Sequence, residues 1–327
     1  MATPGEAVQV LTKIRVPHPR PVVCRQGEIN LISPNRARSI SLQACTKDYM
    51  PELPEVETVA NGVNARVRGR RIVAVHFGAK PEPLKSPAEE MMRALTEHSI
   101  ARVHRVGKHI VFDLVTAPKA RVDAQWLVHL GMTGRLLVSQ PELPVPAHTH
   151  AILHLDDGRE IRFVDARRFG RLSVVWLLGD APGAGFVGTG REPLTISQED
   201  FYALFHKRHA PIKAMLLNQS LLHGVGNIYA DECLFHAGIR PKRLAARLTH
   251  AELARLHQAL LRVLRNAIAR GGSSVSDYVD ADGVAGFFQL EHRVYMRTGE
   301  PCRVCKTPIR RILLAGRGTH FCPQCQR

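Results

Sequence analysis

Residues 50–59 read MPELPEVETV and mark where an unpatterned chain becomes a folding one. Proline suits a first helical position, where its missing N–H would have no partner. Glu52, Glu55 and Glu57 suit the positive end of a helix, and Val56, Val59 and Val63 recur at helical spacing. A helix is therefore predicted with Pro51 at its exposed start. Beyond it, apolar and alternating runs predict strands at His109–Val115, Trp126–His129 and Arg135–Val138. Asp157-Gly158 is a two-residue hairpin signal joining Ile152–Leu155 to Glu160–Val164.

On either side the composition shifts. Residues 1–49 carry Pro17, Pro19, Pro21 and Pro34, seven basic against three acidic residues and no sustained periodicity. They read as a disordered leader or an artefact of the assigned gene start. The run GDAPGAGFVGTG at 179–190 is too rich in glycine for a regular element and predicts a hinge over 179–191. Helical spacing then takes over at Gln198–Lys207, Ile212–Asn218, Ile228–Ala237 and the amphipathic Ala251–Ala269. Gly224 and Gly226 separate the second helix from the third, a pattern that fits both a helix–turn–helix and a generic helical hairpin. The predicted class is α+β: a sheet domain with a leading helix over 50–178, a helical domain over 192–294 and a separate tail over 295–327.

With 45 Lys and Arg against 29 Asp and Glu, the formal charge is +16, which ranks a polyanion, nucleic acid above all, first among partners. An apolar run long enough to span a bilayer is missing, as is a secretory signal, so a cytoplasmic, nucleoid-associated protein is expected. Four of the seven cysteines fall in the last 26 residues, as Cys302-x2-Cys305 and Cys322-x2-Cys325. Each pair can grip one ion from a tight turn, and four thiolates fill the tetrahedral shell of one structural zinc. Redox pairs would be expected beside a βαβ pattern that this tail lacks. The metal would fold a short hairpin presenting Arg310, Arg311 and Arg317 to phosphates.

The stretch 50–59 also closely resembles the amino terminus of formamidopyrimidine-DNA glycosylases. The resemblance continues through Val106-Gly107-Lys108, His129-Leu130-Gly131-Met132-Thr133-Gly134, Asp165-Ala166-Arg167-Arg168-Phe169-Gly170, Gly224-Val225-Gly226-Asn227-Ile228-Tyr229-Ala230 and the cysteine tail. It covers residues 50–327. It implies an amino-terminal β-sandwich, a helix–two-turns–helix domain and a four-cysteine zinc-finger hairpin, in a bifunctional glycosylase/lyase that removes oxidised purines from double-stranded DNA. A monomer is expected.

In that family the initiating methionine is removed and the proline amine, here that of Pro51, attacks the sugar C1′. An α-amino group ordinarily titrates at about pH 8 against about 10.4 for lysine, so more of it is nucleophilic near neutrality. Glu52 resembles the general acid/base. Glu55 matches a family carboxylate, with a direct role and a helix-dipole role both open. Lys108 and Arg317 match residues that assist the lyase steps or grip phosphates beside the lesion. His129, Arg168 and Asn227 match DNA contacts, and Lys213 aligns with a family lysine, although a lone basic residue on a helix is otherwise a solvated face. Met132, Arg167 and Phe169 match the side chains that fill the gap left by a flipped nucleotide; pattern alone would put Met132 and Phe169 in a core. The stretch 271–288 resembles the family's lesion-capping loop.

One departure is plain. Forty-nine residues precede Met50, and an internal proline nitrogen is an amide without a usable lone pair. Activity is expected only of a chain beginning at Pro51, through a true start at Met50 or removal of the leader. The rival readings are an endonuclease VIII-like enzyme for oxidised pyrimidines, whose start usually has glycine where Leu53 stands, and a non-catalytic DNA-binding protein.

Overall fold

The structure is a computed structural model that describes residues 50–117, 120–177, 185–274 and 278–327. The expected leader, residues 179–184 of the expected hinge and residues 275–277 of the expected capping loop lie outside the described residues.

Helix α1 (Leu53–Val67) starts two residues after Pro51, which therefore stands outside it. Glu52 is the N-cap and Pro54 takes the first-turn place expected of Pro51. The helix closes there because the Glu55 carboxylate turns back to accept the Glu52 N–H at 2.9 Å.

Two four-stranded antiparallel sheets follow. One is ordered β1 (Ile72–Phe77), β6 (Thr149–Leu155), β7 (Glu160–Val164), β5 (Arg135–Ser139). The other is ordered β2 (Ser99–Val106), β3 (His109–Val115), β4 (Ala124–His129), β8 (Arg171–Trp176). Val75, Leu153 and Phe163 from the first share one buried cluster with Ile110, Phe112 and Trp126 from the second. Val56, Val59 and Val63 of α1 and Met91 and Leu95 of α2 (Ala88–Leu95) complete it. This is a β-sandwich with its strands where alternation predicts them, plus β1, β2, β8 and α2, which the sequence reading did not name. Arg102 and Arg105 break the apolar rhythm of β2, and α2 is barely two turns long.

The helical unit holds α3 (Gln198–Phe205), α4 (Ile212–Leu216), α5 (Asn227–Ala237) and α6 (His250–Ala269). Local chemistry fixes their ends. Ser197 Oγ caps α3 by accepting the Asp200 N–H, Thr249 and Glu252 cap α6 reciprocally, and α5 stops at Gly238 with φ of 72°. Phe201, Phe205, Leu216, Ile228, Leu256 and Leu260 form a second core. Leu53 packs into this second core whereas Val56 packs into the first. The opening turn of α1 is thus seated in the helical unit, and Leu53 N–H donates to the Gly224 carbonyl at 3.0 Å.

Strands β9 (Arg310–Leu314) and β10 (Arg317–Phe321) make the terminal hairpin, turned by Ala315-Gly316 with φ of 48° and 73°. Its core is small, consisting of Cys302, Ile309 and Cys322 with Phe235 and Val294. Among the described residues no helix is long and apolar enough to cross a membrane.

Candidate active site

Glu52 is only 4 % exposed. Its carboxylate lies against the start of α5, where Oε1 accepts the Ile228 N–H at 3.1 Å. Burial pushes its pKa up, while the Lys108 ammonium and the α5 N–H groups pull it down. Glu55 is wholly enclosed and accepts from Glu52 N–H, from Ser273 N–H at 2.7 Å and from the Tyr229 hydroxyl. Burial and the neighbouring Glu52 raise it to about 7. Of the two roles left open for Glu55, the helix-end one is visible in its bond to the Glu52 N–H in the first turn of α1. Pro51 is buried beside them, its nitrogen bonded to Met50.

Lys108 occupies the two-residue turn between β2 and β3 and is half-buried. Burial lowers its pKa against the opposing pull of Glu52 and Glu55. One cleft of about 520 Å³ brings together Glu52, Lys108, His129, Met132, Asn227 and Arg317. The Gly131 N–H donates to His129 Nδ1 at 3.1 Å, which requires that nitrogen unprotonated and leaves Nε2 as the donor. Burial, with His109 and Lys108 nearby, accordingly pushes His129 down to about 3.

Met132 is half-buried in the cleft, but Phe169 is 52 % exposed with the Arg167 guanidinium 4.8 Å above its ring. Pattern alone would have put Phe169 in a core; the structure puts it on the surface. Asp165 holds the two loops together, accepting from Thr133 Oγ1, Arg167 N–H and Gly170 N–H. Arg168 is turned to Glu82, its Nη1 2.5 Å from the carboxylate, rather than toward the cleft.

Asn227 is the first residue of α5, not its cap; Gly226 is. Its Nδ2 donates to the Gly318 carbonyl at 3.0 Å, and its Oδ1, shielded from solvent, has no partner among the described residues. Lys213 corrects the expectation most clearly. It is fully buried, 2.7 Å from Asp231 Oδ1, and donates to Thr319 Oγ1 and the Gly318 carbonyl. Enclosed in this way it is no solvated face and has no free ammonium to offer a phosphate; it holds the backbone next to the exposed Arg317.

The four cysteine sulfurs lie within 4.8 Å of one another, with Cys302–Cys325 at 3.9 Å and Cys305–Cys322 at 3.4 Å. Four thiolates about 2.3 Å from one zinc stand about 3.8 Å apart, so the cluster fits one structural zinc. Sequence reasoning gave no role to Tyr229, Ser273 and Asp231, which act through contacts distant in sequence, to Asp165, which joins its own loop to Thr133, or to the ion-pair network of Arg105, Glu192 and His223.

A cleft between a β-sandwich and a helix pair, with an arginine-bearing thiolate hairpin at its edge, is the framework of a DNA-repair glycosylase. The family model of the formamidopyrimidine-DNA glycosylase N-terminal domain matches residues 50–172, that of its H2TH domain 189–279, and that of the zinc finger found in FPG and IleRS 299–327. The formamidopyrimidine-DNA glycosylase of Solibacter usitatus is 45% identical over 279 residues, 85% of this chain and 100% of that protein. Lactococcus lactis Fpg in complex with DNA containing an abasic site superposes with a TM-score of 0.73 at 31% identity, covering 84% of this chain and 99% of that one. MutM bound to DNA containing carbocyclic 8-oxo-G gives 0.72 at 32% identity, covering 85% and 100%. The chain belongs to the formamidopyrimidine-DNA glycosylase family.

Proposed function

We propose that this protein, when Pro51 is its first residue, excises oxidised purines, 8-oxoguanine and formamidopyrimidines, from double-stranded DNA and then cleaves the strand. The observation that carries the reading is the placement of Glu52 beside Pro51, seated on α5 and facing the same cleft as Lys108 and Arg317. The Pro51 amine attacks C1′ as the glycosidic bond breaks and the base leaves with a proton. Glu52, whose pKa burial raises, gives a proton to the ring oxygen as the sugar opens to an iminium ion. Loss of a C2′ proton expels the 3′ phosphate, a second elimination expels the 5′ phosphate, and water releases the sugar remnant from proline.

Lys108, His129, Asn227 and Arg317 line the cleft as phosphate-facing groups. Met132 and Phe169 would enter the stack and Arg167 would offer paired donors to the orphaned cytosine, offsetting an unstacking cost of a few kcal/mol. Zinc, held by Cys302, Cys305, Cys322 and Cys325, supplies fold and not chemistry. The protein acts as a monomer in the cytoplasm, on the nucleoid.

Borohydride trapping on an 8-oxoguanine duplex tests the reading. Protein beginning at Pro51 should form a covalent complex and the full chain should form none. Absence of a complex from the Pro51 form would leave the non-catalytic DNA-binding reading, which the amide at Met50–Pro51 otherwise favours for the full chain.

A further inference from the structure

The segment from His223 to Gly226, between α4 and α5, adjoins both Glu52 and the turn that carries Lys108. Gly226 makes room for Glu52, and the Gly224 carbonyl takes the Leu53 N–H. His223 is 8 % exposed, and its ring is wedged between two glycines. A Cβ on Gly107, the residue before Lys108, would stand 3.2 Å from His223 Nδ1; one on Gly188 would stand 1.8 Å away. On its other side His223 Nε2 is 3.2 Å from Glu192 Oε2. Glu192 Oε1 accepts from Arg105 Nη2 at 2.7 Å, and Arg105 Nε donates to Glu57 at 2.6 Å. Arg105 Nη1 closes the loop by donating to the Gly107 carbonyl at 3.1 Å. Burial alone would raise Glu192, but His223 and Arg105 hold its carboxyl at about 2.

We propose that His223 is a positioning residue for Lys108. Its ring fills the gap between Gly107 and Gly188 and, with Glu192 and Arg105, keeps the Gly107-Lys108 turn in register with Glu52. The turn needs such support because Gly107, at φ of 61°, brings no side chain of its own to pack. Two glycines also leave nothing that could collapse into the space if the ring were removed. A shift of about 1 Å in a catalytic group costs on the order of a hundredfold in rate. The inference rests on Lys108 acting in the reaction proposed above.

The test uses proteins beginning at Pro51 and carrying His223→Ala, His223→Gln, Gly188→Ala or the Gly188→Ala/His223→Ala pair. Two quantities are read: the single-turnover trapping rate at saturating 8-oxoguanine duplex, and amide hydrogen exchange across residues 104–110. His223→Ala should slow trapping about tenfold with duplex Kd within about twofold, and should speed exchange in the turn. His223→Gln, which refills most of the gap and keeps a polar group toward Glu192, should stay within about threefold of the unsubstituted protein. Gly188→Ala should slow trapping by displacing the ring, and the pair should be no slower than His223→Ala, since the added methyl then enters vacated space. Trapping at the unsubstituted rate in His223→Ala overturns the inference, as does His223→Gln being as slow as His223→Ala. If His223→Ala fails to fold, the Gly188→Ala and His223→Gln rates decide. If the unsubstituted protein is not trapped, the proposed reaction fails, and unchanged exchange in the turn would separately overturn the role of His223.

Discussion

Gly226 and Glu52 meet so closely that no side chain fits between them: a Cβ on Gly226 would lie 2.1 Å from Glu52 Cδ. This contact brings the carboxylate down onto the first N–H groups of α5. Gly226→Ala should therefore displace Glu52 and lower single-turnover excision by about a hundredfold, with duplex affinity changed far less. Unaltered excision would show that the contact is not needed.

Glu52→Gln keeps the shape of the side chain and removes the proton it can deliver. Binding to an 8-oxoguanine duplex should persist while base excision falls by about 10²–10⁴. The two are separated by a gel-shift titration and a single-turnover assay on the same preparation, and undiminished excision would remove Glu52 from the mechanism.

Glu55 makes stability depend on pH. Its folded-state pKa, about 7, lies above the ordinary glutamate value of 4.5, so the folded protein binds more protons than the unfolded chain between these limits. Stability should therefore be greatest at the acidic side of that window and fall as pH rises through it, by roughly 3 kcal/mol from this group. Melting temperature measured from about pH 4.5 to about 7.5 should show the decline, and Glu55→Gln should shrink it. An identical slope in both proteins would mean Glu55 is ionised throughout.

Lys213 and Asp231 are both fully buried, so removing Lys213 takes away the buried cation facing Asp231 and leaves its carboxylate only the His320 N–H and ring. Lys213→Ala should cost about 3–5 kcal/mol in urea unfolding, and adding Asp231→Asn should recover part of it. A cost below about 1 kcal/mol would instead fit a lysine that reaches solvent.

Stripping the metal should unfold the terminal hairpin, whose own core is too small to hold it. Chelation, or Cys305→Ala, should weaken duplex binding by about tenfold or more while the two larger cores still melt cooperatively. Undiminished affinity in metal-free protein would remove the hairpin from the interface.

Much of this was written along the chain. Alternation placed β3 and the Asp157-Gly158 hairpin, 3.6-residue spacing placed α3 to α6, and cysteine spacing placed the metal site. These signals are local, carried by neighbours a few residues apart. The family motifs likewise marked Pro51, Glu52, Lys108 and Arg317, because a resemblance is read in sequence order.

Environment was decided elsewhere. Lys213 reads as a solvated helical lysine until α5 and β10 enclose it with Asp231. Glu55 reads as one of three acids at a helix start until Tyr229 and Ser273 close over it. Phe169 reads as core until Asp165 pins its loop outward. For Lys213 and Glu55 the deciding partners are distant in sequence, and burial and charge pairing depend on distance in space. Neighbouring residues along the chain settle which elements form and which side chains carry chemistry. Packing settles which charges lose water, which glycines are obligatory, and how His223 comes to lie against Gly107.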